Sequence, residues 1–283
     1  SGQFMSIHPA FGENQVAVIT GAADGIGLAA AQAFTQLGMR VCIADVDSAK
    51  LEQASAMLPQ ALAIPVDVAD ADQVNALREQ AYKAFGQVDV LMNNAGSSRA
   101  TGAWTEPENW QSILGVNLWG AINGTQAFTQ AMLDQHSPGL IINTGSKQGI
   151  TMPPGNPAYN VSKAGVKALT EALQHELRNT AGCQLSAHLL IPGFTYTGMI
   201  RRFAAEQPPA AWTPAQVVNY MIEHISAGDF YILCPDNDVD RATDNKRMAW
   251  AMGDLIDNRP PLSRWHSDYA LAFEAFMADD DAP

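Results

Sequence analysis

Along the chain, short runs of β-branched and other apolar residues alternate with longer segments whose apolar positions recur at helical spacing. Strands are predicted over 16–20, 41–45, 62–67, 88–93, 140–144, 185–191 and 230–234. The stretches between them are rich in Ala, Leu, Gln and Glu, as at 71–85 and 164–177, and predict helices. Several strands are apolar almost throughout, which is expected when helices cover both faces of a parallel sheet. The fold class is therefore α/β: a single doubly wound domain over 1–283, with a seven-stranded, mainly parallel sheet and helices on both faces.

Two regions break the alternation. Residues 194–213 form a long connection carrying Phe194, Tyr196, Phe203, Trp212 and adjacent prolines, and loops of that length are commonly lids or binding loops. We read this one as a substrate loop. Residues 236–283 form a C-terminal helical extension: 240–255 predicts a helix, Arg259-Pro260-Pro261 stops it, and 265–277 predicts a short amphipathic helix.

Composition narrows the function classes. The chain has 283 residues, 47% of them apolar and 16% charged, which suits a globular domain with a sizeable core. No apolar run approaches the roughly 20 residues of a membrane span. The formal charge of -13 repels phosphate backbones and anionic lipid, so neither nucleic acid nor membrane is an expected partner. Asp279, Asp280 and Asp281 read as a solvated acidic run. The N-terminal residues lack the pattern of a secretion signal, and Met5 reads as a natural start preceded by added residues. Cys42, Cys183 and Cys234 are odd in number and read as small buried thiols, which suits a reducing, cytoplasmic location. The six histidines (8, 136, 175, 188, 224 and 266) show no metal-ligand spacing, and no metal is expected.

The candidate chemistry begins at the first strand-to-helix turn, Thr20-Gly21-Ala22-Ala23-Asp24-Gly25-Ile26-Gly27. Glycines there allow a tight turn and close approach to a pyrophosphate, which the following helix N-terminus stabilises. Asp45 ends the second strand, 24 residues after Gly21, where a carboxylate can accept both adenosine ribose hydroxyls. A 2′-phosphate beside it meets like-charge repulsion, Asp24 adds to that penalty, and no Lys or Arg immediately follows Asp45. NAD is therefore the expected cofactor. The bland reading of Asp45 is a turn residue.

The strongest signal is Tyr159-Asn160-Val161-Ser162-Lys163, with Ser146 thirteen residues before the tyrosine. On a helix, positions i and i+4 share a face, so the phenol and the ammonium can converge on one substrate. A nearby ammonium and a positive nicotinamide ring both favour phenolate, and so lower the phenol pKa toward the working range. Ser146 follows the strand at 140–144, at the carboxyl edge of the sheet, where it can bond the reacting oxygen.

The Thr20-Gly-x-x-x-Gly-x-Gly turn and the Ser146, Tyr159, Lys163 triple together resemble the short-chain dehydrogenase/reductase family in its compact form, over roughly 14–228. The resemblance implies a Rossmann-type fold and further roles. Asp67-Val68 would meet the adenine, although Asp67 reads equally as a helix N-cap. Asn94, Ala95 and Gly96 would lie along the cofactor. Asn117 would complete a catalytic tetrad with Ser146, Tyr159 and Lys163, holding a water that connects the ammonium to solvent. Gly193 would belong to a segment in which Thr195 or Thr197 contacts the nicotinamide carboxamide. Met152 and Pro153 could line a pocket or only shape their loop.

The reading that follows is an NAD-dependent oxidoreductase acting on a small apolar or aromatic secondary alcohol or ketone, with Tyr159 as acid/base. Its alternatives are a non-catalytic dinucleotide-binding regulator and a lyase or epimerase using the same Tyr/Lys pair. A homodimer or homotetramer is expected, because the helices over 111–133 and 158–178 are apolar on more than one face. The family's Asp-Gly-Gly-like ending is missing after 230–234, which removes the basis for the usual contact across the last strand.

Overall fold

In the computed structural model, which describes residues 6–279, seven strands lie side by side in the order β3-β2-β1-β4-β5-β6-β7. They are β1 (Val16–Thr20), β2 (Arg40–Asp45), β3 (Leu62–Pro65), β4 (Val90–Asn93), β5 (Gly139–Thr144), β6 (Leu185–Ile191) and β7 (Tyr231–Leu233). Met5 and the last two members of the acidic run, Asp280 and Asp281, lie outside the described residues. Every neighbouring pair is parallel. The predicted third strand ends early. Its only ladder partner, β2, runs out at Asp45, which pairs with Pro65, a residue without an N–H.

The helices α1 (Gly25–Gln36), α2 (Ser48–Met57), α3 (Ala71–Phe85), α4 (Pro107–Ile113), α5 (Gly120–Leu133), α6 (Gln148–Thr151), α7 (Pro157–Arg178), α8 (Gly198–Arg201) and α9 (Pro214–Ser226) complete the domain. Alternate residues of each strand feed two separate cores. Ala17, Ile19, Ile43 and Met92 pack with α1, α2 and α9 on one face. Val16, Val18, Leu91 and Ile141 pack with α3, α5 and α7 on the other. Apolar residues on both faces explain the unbroken hydrophobic strands.

The C-terminal extension contains α10 (Arg241–Ile256) and α11 (Ala270–Ala278), joined through 3₁₀ turns at Ser263–Trp265 and Ser267–Tyr269. The last helix thus begins five residues later than the 265–277 pattern predicts. The His266 ring nitrogen accepts from Asp268 N–H at 3.2 Å, holding the chain in a tight turn before the α-helix can propagate. Around the buried Trp250 of α10 the extension is knotted. The indole donates to Ser263 Oγ at 2.9 Å, Arg259 stacks 4.1 Å from the ring centroid, and Phe273 and Phe276 close in at 5.3 Å.

Candidate active site

The sheet order puts β1 beside β4, with connections running to opposite faces, and so opens a crevice at the carboxyl edge between them. The turn from Thr20 to Gly27 lies along it. Gly21 and Gly25 have φ of 62° and 57°, where a side chain is strained. At Gly27 a Cβ would fall 2.3 Å from the Gly21 carbonyl oxygen. Ile26, in the first turn of α1, packs partly buried against the core, and the first-turn N–H groups of α1 come to the edge of the sheet.

Asp24 caps α1, its carboxylate accepting from Gly25 N–H at 2.7 Å. It also pairs with Arg201 of α8, 177 residues away, and lies 3.9 Å from Lys50 Nζ. This corrects the expected charge penalty: a carboxylate already matched by two cations adds little repulsion toward a 2′-phosphate, and Lys50 stands nearer than the sequence suggests. Asp45 carries no such ion pair among the described residues. Its two oxygens accept from Ala23 N–H (3.1 Å) and Asp47 N–H (3.0 Å), which holds the carboxylate against the glycine turn.

Asp67 is not the cap of α3. That place belongs to Asp70, which accepts from Asp72 N–H and Gln73 N–H, while Asp67 accepts from Ala69 N–H in a turn of its own. Val68 is buried, and Asn123 of α5 donates to its carbonyl at 2.9 Å. The ends of β1, β4 and β5 are cross-linked. Thr20 Oγ1 accepts from the N–H groups of Asn94 and Ala95, Asn94 donates to the Gly21 carbonyl, and Thr144 donates to the Asn94 side chain at 2.9 Å.

Helix α7 supplies the reactive pair. Asn156 caps it, accepting from Tyr159 N–H at 3.4 Å and from Thr101 Oγ1 at 2.6 Å. Lys163 is buried, and its Nζ donates to the Thr144 carbonyl at 2.9 Å while lying 5.7 Å from the Tyr159 ring centroid. Burial pulls the Lys163 pKa down to about 8, so the group is mostly ammonium at neutral pH. Ser146 stands close enough to the Tyr159 hydroxyl to favour its ionised form, but burial is the larger effect and raises the Tyr159 pKa. This is opposite to the predicted lowering by Lys163. The ammonium is directed at the Thr144 carbonyl, and desolvation of the phenolate outweighs it.

Asn117 sits in a π-helical turn, Leu114–Trp119, between α4 and α5. Its side chain accepts from Ser97 N–H (2.7 Å) and donates to the Ser97 carbonyl (3.0 Å) and to Ser162 Oγ (3.1 Å). Ser162 in turn donates to the Tyr159 carbonyl at 2.7 Å. Both amide hydrogens are thereby committed to protein, so a water held by Asn117 would need an oxygen lone pair or the backbone carbonyl. A Cβ at Gly96 would stand 3.7 Å from Asn117 Oδ1 and 3.8 Å from Lys163 Nζ, so these three residues meet.

The two threonines separate. Thr195 is buried and donates to the Gly193 carbonyl at 3.0 Å. Thr197 faces the glycine turn, 3.3 Å from where a Cβ on Gly25 would be. Gly193 has no room for a side chain, because a Cβ would lie 2.9 Å from the Pro235 carbonyl oxygen. Of the loop aromatics, Trp212 packs against Tyr220 at 5.8 Å and Tyr196 donates to the carbonyls of Ala204 and Ala205, whereas Phe203 is 88% exposed. The Pro153 carbonyl accepts from Asn160 Nδ2, and Met152 ends α6 at a φ of 54°, so both shape their loop.

Residues 15–208 match the family model described as short chain dehydrogenase. The chain belongs to that family. Short-chain dehydrogenases are oxidoreductases that bind a nicotinamide dinucleotide. The chain is 35% identical over 198 residues to the 3-oxoacyl-[acyl-carrier-protein] reductase FabG of Thermotoga maritima, covering 67% of this chain and 78% of that protein. It is 30% identical over 263 residues to the 1-deoxy-11-beta-hydroxypentalenate dehydrogenase of Streptomyces exfoliatus, covering 89% and 94%. The crystal structure of a short-chain dehydrogenase/reductase from Burkholderia phymatum in complex with NAD superposes with a TM-score of 0.80 at 32% identity, covering 88% of this chain and 96% of that one.

Several residues of this short-chain dehydrogenase that set the site carry no motif. Thr144 acts through its carbonyl, and Asn156, Asn123 and Ser162 act through bonds to backbone, a role that any asparagine or serine in a sequence could fill. Among the described residues no helix is long and apolar enough to cross a membrane.

Proposed function

We propose that this protein is a cytoplasmic, NAD-dependent oxidoreductase that transfers hydride between a secondary alcohol or ketone and the nicotinamide, with Tyr159 as acid/base. The observation that carries the reading is the convergence of Ser146, Tyr159 and a buried Lys163 ammonium, 5.7 Å from the tyrosine ring centroid, at the carboxyl edge of a parallel sheet.

The residues present fit a dinucleotide. Gly21, Gly25 and Gly27 keep the turn bare of side chains at a helix N-terminus, where a pyrophosphate is stabilised. Asp45 would take the adenosine ribose, Val68 and Asn94-Ala95-Gly96 would line the adenine and ribose path, and Thr197 would reach the carboxamide. Asp45 favours NAD over its 2′-phosphorylated form, and a structure similar to this chain is in complex with NAD. When bound, the nicotinamide supplies the hydride donor or acceptor.

Ser146 orients the reacting oxygen and stabilises charge that develops on it. In the reduction direction Tyr159, held protonated by its burial, delivers a proton to that oxygen. In the oxidation direction Tyr159 must first lose its proton, and Lys163 stabilises the resulting phenolate through space. Phe194 and Phe203 lie in the 194–213 connection, which serves as substrate loop, and favour an apolar or aromatic substrate body. The exposed Trp119 and Val161, on the helical segments flanking β5, support a homodimer through that face. A spectrophotometric screen of alcohols and ketones with NAD(H), run beside NADP(H), tests the reading. Turnover with NAD(H), lost in Tyr159→Phe, is the expected result, and turnover surviving in that variant overturns it.

A further inference from the structure

The C-terminal extension grips the loop that carries the catalytic serine. Lys147, the residue after Ser146, forms an ion pair of 2.6 Å with Asp244 on α10, and the Asp244 side chain is only 6% exposed. One helical turn further on, Arg247 faces the same side as Asp244, beside Met248, which packs near Ile150 of α6. Arg264 lies close enough to both for their charges to act on it, Arg247 lowering its pKa and Asp244 raising it, with burial the largest cause of its net fall.

Asp244, already paired with Lys147, is thus the carboxylate nearest two further cations in a chain whose formal charge is -13. Among the described residues neither Arg247 nor Arg264 makes a hydrogen bond or ion pair to protein, and Arg247 Nε is buried without a partner. Arg264 is held by its faces, stacked 4.7 Å from Trp265 and 5.3 Å from Phe273, which leaves the N–H groups in its plane unused. Two partly buried guanidiniums whose charges act on one another, neither with a hydrogen-bond acceptor, are unfavourable unless an anion joins them, and a carboxylate matches the guanidinium fork with two parallel hydrogen bonds.

We propose that Arg247 and Arg264 bind a carboxylate at the far end of the substrate, so that this enzyme prefers an oxo or hydroxy acid with an apolar body. Asp244 is the positioning residue: it neutralises Lys147 and fixes α10 against the Ser146 loop, which sets the arginines at a constant remove from the reacting oxygen. This inference rests on the oxidoreductase reading for its site but not for its measurement.

The test pairs 4-acetylbenzoate and longer aryl oxo acids with their methyl esters, using the full chain and NADH. The expected result is a kcat/KM for at least one acid about tenfold or more above that of its ester, carried by KM, as one charge-assisted hydrogen bond would supply. In Arg247→Gln and Arg264→Gln that acid-to-ester ratio falls toward one. A wild-type ratio at or below one throughout the series, or a ratio unchanged in both variants, overturns the proposal. Thermal melting with the same acids reads the site without turnover. A rise in Tm with acid but not ester, lost in the double variant, upholds the site even if no ketone is reduced, in which case only the oxidoreductase reading fails. No rise and no preference sinks the carboxylate site.

Discussion

Lys163 donates to the carbonyl oxygen of Thr144 at 2.9 Å, two residues before Ser146. That bond ties α7, the helix of Tyr159, to the end of the strand that leads into Ser146. The position of the ammonium is fixed before any cofactor arrives, at the expense of burying a charge.

That expense is measurable. The Lys163 pKa is about 8 in the folded chain against 10.5 for the free side chain, so between those values the unfolded chain binds more protons than the folded one. The group's contribution to stability is complete above 10.5, is lost as pH falls to about 8, and amounts to roughly 3 kcal/mol. Urea unfolding of wild type and Lys163→Met across this window should show the rise with pH in wild type only. Equal slopes would mean that the ammonium is solvated.

Tyr159→Phe should lower turnover by about a thousandfold or more while the NAD dissociation constant, read by fluorescence titration, moves only a few-fold. Because burial holds the wild-type phenol above its ordinary pKa, the rate of alcohol oxidation should climb with alkaline pH. Ketone reduction should hold up at neutral pH and fall as the phenol ionises. An oxidation rate that peaks at neutral pH would contradict the phenol's place in the step.

Asp45→Asn keeps the size of the side chain and removes its charge. Loss of repulsion and of charged ribose contacts should narrow the NAD-over-NADP preference in kcat/KM by about 10- to 100-fold. Asp24→Asn, whose charge is already paired with Arg201, should narrow it far less. Equal effects would return the discrimination to both carboxylates.

His188 makes the fold acid-sensitive away from the site. Its Nδ1 bonds the Asp229 carbonyl at 2.7 Å and its Nε2 meets Ser186 Oγ at 2.8 Å, which defines a neutral ring protonated on Nδ1. Burial lowers its pKa from 6.5 to about 4. The unfolded chain therefore takes up a proton that the folded one refuses, and stability is lost as pH falls from 6.5 toward 4. The loss is roughly 3 kcal/mol. Replacing His188 with Asn should flatten this part of the stability profile; an unchanged profile would place the acid-sensitive group elsewhere.

The sheet was readable from the chain because its central strands are buried on both faces and β-branched runs have no other economical use. Helix α3 was readable as a segment from its composition, but its cap was not: Asp67 read as a possible cap, whereas Asp70 starts the helix and Gly86, at a φ of 77°, stops it. The glycine turn and the Ser146, Tyr159, Lys163 spacing stood out as candidates because the chemistry they would serve restricts both residue type and interval. What escaped depends on partners far away in sequence or on backbone. The pairing of Asp24 with Arg201 spans 177 residues, the acceptor for Lys163 is a carbonyl, and the proximity of Arg247 to Arg264 exists only once Trp250 has knotted the extension. The sign of the Tyr159 shift escaped for a similar reason, since burial depends on packing and not on spacing.

The widened turn at Leu114–Trp119 reaches beyond Asn117. A helix that has taken in one extra residue presents everything after it rotated by about 100° from the unbroken course. Asn123, which holds Val68, and the tightly packed Gly124 both lie downstream of that rotation. Excising a single residue from 114–119 would therefore spin the α5 surface out of register with Val68 and with Asn93 at the end of β4, so the length of this segment is as constrained as its composition.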